Sequence, residues 1–483
     1  MSIAHEPGWA AEEFADVDLG DKRLDARVVK LCDSFSEAPE SPINQACADW
    51  AETKAAYRFF RNGNVDACAI MKAHRIKTAE RAKSHKTILA IQDTSYFIYT
   101  SHPKTEGLGR LSLKKGKNVA KIFSNGLVMH ACLGVTTDGL PIGLLDQHIF
   151  ARQLNTKERR KLADVTPIED KESYRWLQSL KNTKEIAGDT RIVTVCDREG
   201  DIYEFFKLSE EINSPVLVRA NVDRAINKRS RYAEKAVIGL WAYMGKQAMA
   251  GTITVHIPAR RKTQHCKERA ARTALLTIKF GSFLLNPPRN NVKHRTSELP
   301  DLHMHAVYVF EANPPDGAEP VEWMLLTNLS VTNFAEACEK VLWYCLRWRI
   351  EMFFKILKSG FLVEVCRLGT SDRLAKYLTI MSIVAWRLFM ITLIARTNPD
   401  TPCTELVADY EWKVLFMKVH KARHPPKRTP TMGEVVIWIA RLGGFLARKG
   451  DGMPGTITLW RGWKRLTDLT EGWNLAINGA TCG

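Results

Sequence analysis

With 483 residues the chain is too long for one compact core, so two or three domains are expected. Its net charge of +17, from 70 Lys and Arg against 53 Asp and Glu, points to a polyanionic partner, nucleic acid ahead of a membrane surface. The hydrophobic share of 45% is ordinary for a soluble protein, and eleven cysteines without a CxxC pair or regular spacing indicate neither a zinc site nor a disulfide framework. They fit reduced thiols in a cytoplasmic protein. The opening MSIAHEPGWAAEEF is acidic where a secretory leader would be basic and then apolar, so nothing marks export.

Residues 1 to about 75 read as helical, with LDARVVKLCDSF and DWAETKAAYRFFR as amphipathic segments on either side of a turn region at Pro39 to Pro42. Spacings of three and four put Arg23 with Arg27, and Arg58 with Arg61, on common faces, either solvated or turned to an anion. From about 86 the pattern becomes strand-like: TILAIQDTSYFIYT, GLVMHACLGVTT and LPIGLLDQHIF, with Asp138 and Gly139 as a hairpin turn between the last two. Three sequential antiparallel strands are predicted. Asp93 stands inside the first, where an ionised carboxylate is costly unless paired or bound to metal. His130, on the second, reads as a packed core residue. A helix over about 169 to 186 leads to RIVTVCD, whose apolar run ends at Asp197, the C-terminal edge of a strand where functional groups gather. A short helix and the strand SPVLVRA follow.

Between about 222 and 332 strand-like runs, GTITVHIPA, TALLTIKF and HAVYVFEA, are joined by basic connections carrying Arg260, Arg261, Lys262, Lys267, Arg269, Arg272, Arg289, Lys293 and Arg295. Such clusters are either solvated surface or a track for phosphates. The next segment, Val341 to Gly360, is predicted to be one helix. At about 100° per residue, Tyr344, Arg347, Glu351 and Lys358 fall within an arc of about 60°, while Leu342, Leu346, Ile350, Phe353 and Leu357 share another face. A phenol, a guanidinium, a carboxylate and an ammonium in one row suit a phosphodiester: the carboxylate for a divalent metal, the others for phosphate oxygens. Leu374 to Ile394 is the most apolar stretch but holds Lys376 and Arg387, so it reads as a buried helix and not a membrane span. The last segment contains a Pro-broken basic loop, HKARHPPKRTP, and two amphipathic helices at Val435 to Leu446 and Ile457 to Leu469.

No Ser-His-Asp order, Walker loop or GxGxxG motif is present, and the thirteen histidines are scattered. The spacing Tyr-x2-Arg-x3-Glu-x6-Lys, within RWRIExFxKxxKxG, resembles the signature of the insertion-sequence-four family of bacterial transposases. Similar strings run along the chain in order: LGDKRLDAR, AYRFFRN, LAIQDTS, VCDRE and IARLGGF.

The resemblance implies an α/β fold with a ribonuclease-H-like catalytic core over 76–396, interrupted by a β-rich insertion at about 222–332. A helical end-DNA-binding domain would occupy 1–75 and a helical dimerisation domain 397–483. It implies a DDE triad of Asp93, Asp197 and Glu351 holding two Mg²⁺ ions, with Mn²⁺ as substitute. DNA contacts would come from Tyr344, Arg347 and Lys358 and from Arg23, Arg27, Arg58 and Arg61. Trp323, twenty-one positions before Tyr344, matches a tryptophan that stacks on a flipped base. The partners are double-stranded DNA, as transposon ends and as target, and a second copy of the chain. The implied reaction nicks the transposon end, forms and reopens a hairpin, and joins the end to target DNA. A metal-dependent nuclease without strand transfer and a catalytically inactive DNA-binding regulator are the alternative readings.

Overall fold

The computed structural model describes residues 8–113, 122–152, 166–186, 188–226, 238–257, 269–288, 299–397, 399–405, 407–448 and 451–479. The fold is α/β: helices at both ends of the chain and on both faces of one mixed sheet. Five helices come first, α1 (Trp9–Glu13), α2 (Lys22–Glu37), α3 (Ile43–Ala46), α4 (Trp50–Arg61) and α5 (Ala67–Ala82). Asp21, Asp49 and Asp66 cap α2, α4 and α5 by accepting hydrogen bonds from backbone N–H groups of the first turn. These helices bury Phe35 and Phe60 against Tyr377 of a helix far along the chain, with Phe59 edge-on to Phe60.

The sheet begins with β1 (Thr87–Ile98), β2 (Gly109–Leu113), β3 (Ile122–Thr136) and β4 (Pro141–Phe150). β3 runs antiparallel to β1 on one side and to β2 and β4 on the other. The three expected sequential strands are therefore present, with β2 as an addition that the sequence does not signal. Gly139 turns the β3–β4 hairpin at φ +96°, a conformation that favours glycine. Helix α6 (Tyr174–Ile186) leads to β5 (Arg191–Cys196), which lies parallel to β1, and α7 (Tyr203–Glu211) leads to β6 (Val216–Arg219), parallel to β5.

The chain then adds β7 (Ala225–Ile226), β8 (Ile238–Gly239), α8 (Leu240–Gly245), β9 (Gly251–Ile257), β10 (Arg272–Leu285), β11 (Leu302–Phe310) and β12 (Glu322–Thr327). β12 pairs antiparallel with β6, so these strands extend the same sheet. Most of the basic connection residues, Arg260, Arg261, Lys262, Lys267, Arg289, Lys293 and Arg295, lie outside the described residues. Arg272 is described and forms an ion pair with Glu311.

The expected single helix from Val341 to Gly360 is three pieces: α9 (Phe334–Cys345), α10 (Trp348–Lys355) and a π-helical turn at Ile356–Gly360. Between the first two the winding tightens, because the N–H groups of Arg347, Arg349 and Ile350 donate to carbonyls three residues back. After them it loosens, the Phe361 N–H donating to Ile356 O at 2.8 Å. These shifts move the apolar side. Leu342 is 51% exposed, and the buried set is Val341, Trp343, Tyr344, Ile350, Phe353, Phe354, Ile356 and Leu357.

Helix α11 (Ser371–Thr397) is long and apolar enough to cross a membrane by composition, but 78% of its most apolar stretch is buried among the other elements. Lys376 is satisfied there by Asp372 at 2.7 Å and the carbonyl of Asn62 at 3.0 Å. The C-terminal helices are α12 (Asp409–His420), α13 (Met432–Leu442) and α14 (Thr456–Gly479), with residues 421–430 as the expected loop. Trp438 and Trp460 are buried.

Candidate active site

The parallel register pairs Ile91 with Val195 and Val195 with Leu217. Side chains two residues apart share a face of a sheet. Carried on by two residues, the register brings Asp93, Asp197 and Arg219 to one face, in neighbouring strands about 4.8 Å apart. Arg219 pairs with Leu325 of β12, two residues from Trp323. β5 ends at Cys196 while β1 continues beside β3, and this divergence opens a crevice at the C-terminal edge of the parallel strands. Arg347 and Glu351, at the junction of α9 and α10, reach this edge.

Each aspartate has one oxygen fixed by backbone. The Thr94 N–H donates to Asp93 Oδ1 at 2.7 Å, and the Glu199 N–H donates to Asp197 Oδ1 at 2.8 Å as Asp197 caps the turn Arg198–Gly200. Burial pushes the Asp93 carboxyl up to about 7; Arg347 and the Thr94 N–H oppose the rise, while Asp197 and Glu351 add to it. Glu351 is thus near enough to Asp93 to add to that rise.

Arg347 stands between them. Its Nη1 lies 3.5 Å from Asp93 Oδ2 and its Nη2 donates to Glu351 Oε1. The tight winding before α10 turns this guanidinium inward, where two carboxylates satisfy it. The helical row predicts cations free for phosphate; in this arrangement Arg347 is instead committed to the carboxylates. Among the described residues no three His, Cys, Asp or Glu side chains are gathered closely enough to hold a metal as they stand. The donor chemistry nevertheless fits a hard cation. Two adjacent aspartates and a glutamate at a half-open edge, one of them hard to ionise, are stabilised together by positive charge.

Tyr344 is 5% exposed, and burial raises its phenol above its usual range. Trp323 meets it edge-on at 5.3 Å between centroids, and the Arg347 guanidinium lies 6.0 Å from the phenol ring centroid. Lys358, in the π-helical turn, is half-buried over the Phe97 ring at 5.1 Å, and burial lowers its pKa. Arg219 is a further cation at this edge that its own segment of sequence does not announce. It reaches the same crevice, donating to the Glu322 carbonyl at 2.9 Å beside Tyr344. Its place one register step from Asp197 is the available signal. His130 is 1% exposed and packs edge-on against Trp176 at 4.7 Å, a core residue as expected.

The other arginines lie far from this crevice in sequence. Arg58 and Arg61 are exposed at the C-terminal turn of α4 and form no ion pair among the described residues. Arg27 is half-buried on α2, and Arg23 is exposed but engaged with Asp21 at 2.8 Å.

Residues 6–65 match the family described as Transposase DNA-binding, and residues 383–483 match the Transposase Tn5 dimerisation domain. The two matches together are consistent with a Tn5-like transposase. The DNA-binding match takes in α2 and α4 with their arginines, and the dimerisation match begins within α11 and runs through α14. The crevice with Asp93, Asp197 and Glu351 lies between the two matched segments.

Proposed function

We propose that the chain is a transposase that binds transposon ends, cleaves them by metal-dependent phosphoryl transfer and joins them to target DNA. The observation that carries the reading is the crevice itself: strand register sets Asp197 beside Asp93, Arg347 joins Asp93 to Glu351, and Tyr344 and Trp323 pack next to this guanidinium. The antiparallel set β4, β3 and β1, continued by parallel β5 and β6 with helices on both faces, supports a ribonuclease-H-like core.

Asp93, Asp197 and Glu351 are the residues that would hold two Mg²⁺ or Mn²⁺ ions. When bound, such ions activate the attacking oxygen and stabilise the leaving one. The backbone donors to Asp93 and Asp197 keep one oxygen of each carboxylate fixed, so that the other faces the crevice. Arg347 neutralises the carboxylates before DNA arrives and can then take a phosphate oxygen bidentately. Tyr344 and Lys358 add a hydroxyl donor and a partly desolvated ammonium on the same side. Trp323 offers a flat surface for a base displaced when the end folds into a hairpin, where stacking recovers on the order of 1–3 kcal/mol per base. Pairing of two copies through the C-terminal helices would bring two ends together.

The test uses the DNA flanking the gene, where inverted repeats are expected. Full-length protein, Mg²⁺, a labelled duplex from that flank and a target plasmid should give joined products. Cuts without joined products would instead make the chain a metal-dependent nuclease.

A further inference from the structure

On the opposite face of the sheet, helix α6 places Arg175 with 9% of its side chain exposed. Its Nε donates to Thr94 Oγ1 at 3.1 Å and its Nη2 to Glu199 Oε2 at 2.9 Å. Its Nη1 donates to the Glu172 carbonyl at 2.8 Å and reaches Glu172 Oε1 at 3.4 Å. Thr94 and Glu199 are the two residues whose backbone N–H groups fix Asp93 Oδ1 and Asp197 Oδ1. One planar guanidinium therefore grips both residues that orient the aspartates, one on β1 and one on the turn after β5. Thr94 is held from a second side by His130, whose Nδ1 lies 2.9 Å from Thr94 Oγ1. Glu172 is held in turn by Arg152, which also donates to the Tyr96 hydroxyl at 3.1 Å. The cluster is a connected polar network anchored on α6, β1 and the β5 turn.

We propose that Arg175 is a positioning residue that sets the spacing and orientation of Asp93 and Asp197 for divalent metal. The inference rests on the reading of those aspartates as metal ligands. Hydrogen-bond partners behind metal ligands commonly control affinity by roughly 10–100-fold. The geometry here needs a rigid fork. A lysine carries the same charge but presents one flexible point donor, which cannot hold Thr94 and Glu199 at fixed separation. Arg175 touches neither DNA nor metal in this scheme; it acts through Thr94 and Glu199.

Mn²⁺ titration followed by electron paramagnetic resonance tests this on the full-length protein with the flanking-DNA duplex bound. Arg175→Lys and Arg175→Gln should weaken Mn²⁺ binding by roughly 10–100-fold. Thr94→Val and Glu199→Ala should each produce part of that loss, and nicking by all four should recover toward the wild-type rate as Mn²⁺ is raised. Asp93→Asn and Asp197→Asn are the reference variants, expected to lose binding outright. Unchanged Mn²⁺ affinity in the Arg175 variants, with or without a lower melting temperature, would assign Arg175 to stability alone and overturn the proposal. Should the Arg175 variants fail to fold, Glu199→Ala and Thr94→Val decide by the same readout, since Glu199 is 55% exposed and its truncation leaves the core intact. No Mn²⁺ binding by wild type would overturn the metal reading as well. Normal wild-type binding, abolished by Asp93→Asn but untouched by the Arg175, Thr94 and Glu199 variants, would overturn only the role of Arg175.

Discussion

The indole of Trp323 and the phenol of Tyr344 meet with centroids 5.3 Å apart and planes inclined by 62°. One comes from β12 at the end of the added strands and the other from α9, so the contact joins the sheet extension to the helical segment that leads into Glu351. Trp323 is only partly buried, unlike Tyr344 at 5% exposure. Trp323→Ala should therefore leave first-strand nicking intact and slow hairpin formation by roughly tenfold, about 1.4 kcal/mol within the stacking range. Denaturing gels that separate nicked from hairpin product read this directly. An equal loss of both steps would mean that Trp323 serves the core, and an unchanged hairpin rate would remove it from the reaction.

Arg58 and Arg61 project from the end of α4 inside the matched DNA-binding segment, whereas Arg23 is bonded to its own helix cap. Replacing Arg58 or Arg61 by Ala should weaken end binding and flatten its salt dependence, by about one unit of log–log slope for each phosphate that is no longer neutralised. Arg23→Ala should do less. Fluorescence anisotropy at several salt concentrations checks both statements.

The N-terminal helices are fastened to the sheet by a buried network. His74 Nε2 accepts the Leu144 N–H at 2.8 Å, so the ring is neutral and its Nδ1–H donates to Glu13. Arg81 meets Glu13 with both terminal nitrogens and lies 4.3 Å from the Trp386 ring centroid. Burial pushes the Glu13 carboxyl up, but His74 and Arg81 outweigh it and hold it well below its usual range. A depressed acid stabilises the fold above its unfolded value, and that stability is lost as pH falls through the folded one. Melting temperature should thus drop between about pH 4.5 and 2 in wild type, and Glu13→Gln should flatten this limb. Arg81→Met, which leaves Glu13 buried and short of a charge partner, should cost roughly 3 kcal/mol at neutral pH.

In the matched dimerisation segment, α13 and α14 cross at two glycines. A Cβ on Gly462 would lie 1.7 Å from the Ile439 carbonyl oxygen, and one on Gly443 would lie 1.9 Å from that of Thr458. Gly462→Ala should force the helices apart, at a cost of about 3 kcal/mol. It should abolish paired-end complexes while single-end binding persists. This change is cleaner than truncation from about 430, which would delete Val435 and Trp460 and uncover the core residues packed against them. Native gels of end duplexes with the variant provide the measurement, and normal paired complexes would contradict the role given to these helices.

Much of this architecture is legible in the sequence, and the exceptions are local. Continuous apolar runs reveal β1, β3 and β4, and the apolar run before Asp197 marks β5, because each of these strands is buried on both faces over much of its length. β2 is short and its pattern is set by pairing with β3, so no periodicity announces it. The segment Val341 to Gly360 is legible as helix, but its tight and loose turns are not. A change from four-residue to three- or five-residue hydrogen bonding leaves composition untouched. It is this change that buries Tyr344, exposes Leu342 and turns Arg347 onto Asp93 and Glu351. Arg219 and Arg175 are hidden for a different reason. Their partners are brought to them by strand register and by packing across the sheet, neither of which has a signature in a single segment.

In the proposed reaction Asp93, Asp197 and Glu351 form one metal-dependent cleavage site, separate from the surface that holds the DNA end. The most direct measurement is cleavage of a labelled flanking-DNA duplex in Mg²⁺ by wild type and by Asp93→Ala, Asp197→Ala and Glu351→Ala, each alongside its binding affinity for the same duplex. Each replacement should abolish cleavage and leave binding close to wild type. Substantial cleavage by Glu351→Ala, at the wild-type position and with the same metal requirement, would contradict the account.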